Sequence, residues 1–149
     1  MDSVGLLVAG LRDKDAKQAY LCLKQLQAES EKTNAVYGFF DDLSEMLDDA
    51  NSYIRTRAIV LIAANARWDT DNKIDRVIGQ YLRHVEDEKP ITARQCIQAL
   101  PEIARHKPAL SDAICRALRD ANPMVYAESM AALIIKDIEA ALAAISMPA

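Results

Sequence analysis

The sequence predicts an all-α protein, and three observations carry that prediction. Chain breakers are scarce, with 4 glycines and 5 prolines among 149 residues, and the abundant Ala, Leu and Ile favour helix. Apolar residues recur at steps of three and four. Phe39, Phe40, Leu43 and Leu47 do so in one segment, and Ile74, Val77, Ile78, Tyr81 and Val85 in another. That spacing draws an apolar stripe down one side of a helix. Polar segments interrupt the stripes: ESEKTN at 29–34, DTDN at 69–72, EDEKP at 86–90, HKP at 106–108 and DANP at 120–123. Each can end one helix and cap the next, with Asp, Asn, Ser or Thr at the start or Pro in the first turn.

Read in order, the elements alternate between an A and a B type. The A helices are expected over 2–12, 34–49, 71–87 and 109–120, and the B helices over 14–29, 52–67, 90–107 and 123–136. A further apolar segment over 137–146 covers the last pair as a cap or offers a dimerisation surface. Pro101 falls inside the third B helix, where it kinks the helix or ends it near Leu100.

The pairs repeat. Aligned on Gln18, Ile54, Thr92 and Val125, the chain shows registers 36, 38 and 33 residues apart. Five before each anchor stands Asp13, Asp49, Asp87 or Asp120. Seven before stands Leu11, Leu47, Val85 or Leu118, and eleven before stands Leu7, Leu43, Tyr81 or Ile114. Four after, the residue is small: Cys22, Ala58, Cys96 or Ser129. Five after come Leu23, Ile59, Ile97 and Met130, and eight after come Leu26, Ile62, Leu100 and Leu133. Each unit therefore reads as two antiparallel helices about a tight turn. The aliphatic columns face inward, the small column admits close approach, and the aspartate serves the free N–H groups of the B helix. One hairpin cannot cover its own apolar face, so hairpins must pack together.

Bulk properties narrow the class. The length suits one domain, and 51% hydrophobic residues supply a core. A net charge of −4 argues against a general nucleic-acid binder, which is usually basic. Three cysteines do not make a disulfide framework and point to a reducing compartment. The opening MDSVGLLVAG lacks the basic region of a secretory signal, and no segment has the length of apolar chain a membrane span needs. The expected location is cytoplasmic.

The repeat pattern resembles the HEAT family. LDDANSYIRTRAIVLI carries the match, with Asp49, Ile54, Arg55 and Ala58 in the family's places. LRDANPMVYAESMAAL matches at Asp120, Asn122, Pro123 and Val125, with Tyr126 in place of the arginine. The third unit departs further, with Ala93 at the arginine position and Arg94 one later. The resemblance extends over residues 3 to 136, and the chain is similar to short stand-alone bacterial HEAT proteins. It implies a right-handed α-α superhelix of about four hairpins, over 3–30, 34–67, 71–107 and 109–136. Arg55 is then a structural residue that bonds turn aspartates. It says little about function, because such arrays serve unrelated partners.

In HEAT-like stacks the B helices line the concave face. Lys and Arg exceed Asp and Glu by 6 in the B segments, while the A segments carry a net −6. A basic inner face suits an acidic protein segment. The B positions expected to point there are Tyr20, Lys24, Arg57, Val60, Arg67, Arg94, Gln98 and Arg105, with Trp68 just beyond Arg67 as an anchor. Trp68 has a second reading, as cover for the edge of the third A helix. The expected function is a non-enzymatic protein interaction module without cofactor, acting as monomer or homodimer. The competing function is a nucleic-acid protein similar to HEAT-like enzymes that excise damaged bases. His84 and His106 lie in different units without the ligand spacing of a metal site or the partners of a triad. Cys22 and Cys96 occupy the small column, and packing explains them better than redox chemistry.

Overall fold

A computed structural model describes residues 3–146. Among these residues there are eight α-helices, five 3-10 turns and no strand. The helices are α1 (Ser3–Gly10), α2 (Ala16–Lys32), α3 (Phe40–Met46), α4 (Ser52–Ala64), α5 (Lys73–Leu82), α6 (Pro90–His106), α7 (Ser111–Asp120) and α8 (Glu128–Ser146). The chain divides into two compact units, Met1–Ile74 and Asp75–Ala149.

In the first unit α1 pairs with α2 and α3 with α4, and α2 packs on α4. α4 is buried nearly all round, through Ile54, Ala58, Ile59, Leu61, Ile62 and Ala63. A helix apolar on every side belongs at the centre of its unit. Leu11, Leu26, Leu43 and Leu47 close round it, and all four are fully buried. Gly10 lets α1 and α2 approach closely: a Cβ there would stand 2.5 Å from Sγ of Cys22.

In the second unit α6 is central and packs on α7 and α8. Tyr81, Cys96, Ile97, Leu100, Ile103 and Ile114 form its core. Pro101 does not end α6, which continues to His106. The ring removes one N–H from the ladder, and the turns on either side hold the helix.

The aliphatic column of the A helices is buried at Leu11, Leu47, Val85 and Leu118. The B columns are buried in the second and third registers, at Ala58, Ile59 and Ile62 and at Cys96, Ile97 and Leu100. The fourth register differs. Val125 is 65% and Leu133 38% exposed, and Ser129 faces solvent. Pro123–Val125 forms a 3-10 turn and Tyr126 is extended, so the B helix begins only at Glu128. The late start rotates the helix, and Ala131, Ile134 and Ala141 take the buried face. The segment 137–146 is no separate cap but the continuation of α8.

Candidate functional site

The A–B turns show what the aspartate column does. Oδ1 of Asp13 accepts from the N–H of Asp15 at 2.8 Å, Oδ1 of Asp49 from Asn51 at 2.8 Å, and Oδ1 of Asp87 from Lys89 at 2.9 Å. These aspartates therefore lie two residues before the helix cap and fix the turn. In the first two turns the capping falls to the residue two positions on. Asp15 accepts from the N–H of Lys17 at 3.0 Å, and Asn51 from Tyr53 at 2.8 Å. Asp120 is exposed. Its turn is held by Asn122, whose Oδ1 accepts from Met124 at 3.1 Å and whose N–H donates to Glu86 at 3.1 Å. Arg55 is buried in its turn, donating to the carbonyl oxygens of Asp49 at 3.0 Å and Ala50 at 3.1 Å. Both of these partners are main-chain oxygens.

Three residues expected on the partner face donate to carbonyl oxygens at helix ends. Arg57, expected to point into the concave face, is only 9% exposed and donates to the carbonyl oxygen of Leu11 at 2.8 Å. Burial pulls its guanidinium below its ordinary pKa, and Tyr53 opposes that shift. Arg67 donates to the carbonyl oxygen of Glu31 at 2.9 Å, and the Trp68 indole N–H to that of Ser30 at 2.7 Å. The last carbonyls of a helix lack intrahelical partners and carry its negative end. The second hairpin thus closes the C-terminal ends of both helices of the first. Trp68 is tied to α2 by this bond.

In the second unit, Arg94 holds Asp137 through Nε at 2.6 Å, and Gln98 donates to the same carboxylate at 3.3 Å. The hydrogen bond to Asp137 raises the Arg94 guanidinium above its ordinary pKa. Two expected binding residues therefore clamp α6 to α8. Arg105 is exposed and paired with Glu102 at 2.5 Å within its own helix. Val60 is half-buried.

Tyr20 and Lys24 remain on the surface, both on α2. Tyr20 is 54% exposed, and the Lys24 ammonium stands 5.3 Å from its ring centroid, within cation–π range. Lys17 and Leu21 extend the same exposed face, at the steps that align side chains on a helix. Leu21, 46% exposed, is not among the residues named from the sequence.

Sequence reasoning also missed a buried polar centre in the first unit. Asp69 accepts from the Tyr37 hydroxyl at 2.6 Å and from the N–H groups of Lys73 at 2.8 Å and Ile74 at 3.0 Å. The carboxylate caps α5 and anchors the tyrosine. Burial, then the hydrogen bond to Asp69, pushes the Tyr37 hydroxyl well above its ordinary pKa. An aspartate just ahead of a helical stripe was the available signal. Burial likewise pushes the Cys96 thiol far up, which leaves it a weak nucleophile. No group of three or more His, Cys, Asp or Glu stands together as a metal site among the described residues, and no helix among them is long and apolar enough to cross a membrane.

Comparison with protein-family models, curated proteins and solved structures finds no match to this chain.

Proposed function

We propose that the chain is a non-enzymatic interaction module of the HEAT-like α-solenoid class, and that its first unit docks an acidic protein segment on the exposed face of α2. The observation that carries this reading is the run Lys17, Tyr20, Leu21 and Lys24. It joins two ammonium groups, an aromatic ring and an aliphatic side chain on one solvent-facing strip. An aromatic ring beside a cation offers contact area at low entropy cost together with charge recognition. The B-helix arginines Arg55, Arg57, Arg67, Arg94 and Arg105 all bond within the fold, which favours this strip as the docking face.

The test is capture by the tagged chain of its partner from the cells that make it, compared with a double variant Tyr20→Ser, Lys24→Glu and a control Arg105→Glu. The reading expects the double variant to lose the captured protein, the control to keep it, and all three to melt alike. Equal capture by every variant sinks it. Retardation of duplex DNA at low salt that only the double variant loses would assign the strip to nucleic acid instead.

A further inference from the structure

A second surface of the first unit has the opposite chemistry. α1 and the segment leading into α3 face one another across a groove of about 450 Å³. From α1 come Gly5, Val8 and Ala9, whose spacing puts them on one side of the helix. Two of the three are small, and this leaves space between the helices. Phe39 and Met46 supply the opposite wall. Val8 and Met46 are buried beneath the groove and Phe39 is half-buried, so its floor is apolar.

The rim is anionic. Asp42 and Glu45 stand on it, both exposed. The basic residue lining the groove, Arg12, is engaged with Asp49 at 2.9 Å, and the nearby Lys73 ammonium lies 3.8 Å from Asp41. Asp42 in the first turn of α3 suits the positive end of that helix. Glu45 lies toward the C-terminal end, where an anion opposes the dipole, so helix stability does not explain it. An apolar floor with uncompensated carboxylates at its edge selects an apolar group carrying a positive charge.

We infer that this α1–α3 groove is a docking site for a peptide segment of a partner protein that inserts an aliphatic side chain flanked by lysine or arginine. It is a separate surface from the α2 strip, and its ligand has the opposite sign of charge.

The experiment titrates the isotope-labelled full chain with two blocked hexapeptides, Leu-Lys-Lys-Leu-Leu-Lys and Leu-Glu-Glu-Leu-Leu-Glu, and follows its backbone amide resonances. The lysine peptide should move the amides of residues 5–12 and 39–46 saturably. It should bind roughly five-fold more tightly than the glutamate peptide, as two partly exposed ion pairs allow. Asp42→Asn with Glu45→Gln should erase the discrimination and leave the thermal midpoint in place. The inference is overturned if neither peptide moves those amides, or if both bind equally. It is also overturned if the amides shift with protein concentration alone, which would seat a second copy in the groove. Failure here leaves the α2 strip untouched, since the amides of 17–24 report that face independently.

Discussion

The guanidinium of Arg57 donates to the carbonyl oxygen of Leu11 at 2.8 Å, across 46 positions of sequence. Leu11 follows the last residue of α1, where carbonyl groups point along the axis with no N–H beyond them. A cation from the next hairpin fills that vacancy and complements the helix dipole. Arg67 and Trp68 repeat the device on α2. Two hairpins that share only an apolar seam could slide. Fixed donors reaching fixed carbonyls set their register.

Arg57→Met tests the bond directly, because methionine fills similar space and removes the donor. The orphaned carbonyl should cost about 2 kcal/mol of stability, read as a fall in the urea midpoint with unchanged slope. Arg105→Met is the comparison. Its side chain is 60% exposed and paired within one helix, so its effect should stay within about 0.5 kcal/mol. Equal losses for the two would mean that the Arg57 contact contributes nothing beyond an ordinary surface charge.

Asp69 binds one hydroxyl and two main-chain N–H groups, so its removal strands several buried donors at once. Asp69→Ala should lower stability by about 3 kcal/mol, and Tyr37→Phe by about 1 kcal/mol. The two losses should add to more than the double variant shows, since the Tyr37 hydroxyl has already lost its acceptor in Asp69→Ala. Calorimetric melting of the four chains closes the cycle, and strict additivity would refute the coupling.

The helices were legible because burial imposes a period, and breakers such as DTDN and HKP sit where the period stops. The A-helix columns were legible for the same reason. The start of α8 was not. Pro123 suits a first helical turn as well as it suits a 3-10 turn, and only the extended backbone at Tyr126 decides between them. The Tyr126 hydroxyl donates to the carbonyl oxygen of Asp87 at 2.5 Å, tying its segment to the neighbouring turn. The pairing of the basic side chains was harder still. Counting charges by helix treats Arg57, Arg94 and Lys24 alike. Their fates differ because of acceptors 46 and 43 positions away, at Leu11 and Asp137 for the two arginines. No local pattern announces such pairings.

Arg94 and Asp137 also permit a measurement of what that clamp contributes. Their side chains are 30% and 11% exposed, so water screens the pair only in part. A cycle of Arg94→Ala, Asp137→Ala and both should give a coupling of about 1 kcal/mol, decreasing as salt is raised. A coupling of zero at low salt would leave α6 and α8 joined by their apolar contacts alone.

Three tyrosines make stability sensitive to alkali. Burial raises Tyr37 and Tyr81 well above the ordinary value. It pushes Tyr126 up to about 12, with the carboxylates of Asp87 and Glu86 adding to the shift. A raised folded value means that the neutral form is favoured in the native state. The stabilisation is whole below the unfolded pKa of about 10 and is lost as pH rises through the folded values. Denaturant midpoints should therefore fall steeply between about pH 10 and 12, and Tyr126→Phe should fall less steeply. A variant as sensitive as the parent would remove Tyr126 from the cause.

Gly10 of α1 faces Cys22 of α2. Alanine at an ordinary helical position adds stability over glycine by about 1 kcal/mol. At Gly10 the sign should reverse, because the new Cβ would stand 2.5 Å from Sγ of Cys22. The sulfur sits at the end of a short side chain, half-buried between the helices, so it relieves the overlap only by leaving its rotamer or spreading the pair. Overpacking of this kind costs about 1–3 kcal/mol. Cys22→Ala removes the colliding atom, and in that background Gly10→Ala should become neutral or stabilising. The reversal of sign, measured by thermal melting of the four chains, separates a steric contact from a backbone effect. If Gly10→Ala is equally destabilising with and without the sulfur, the conformation of residue 10 is responsible and the two helices are not in register through this pair.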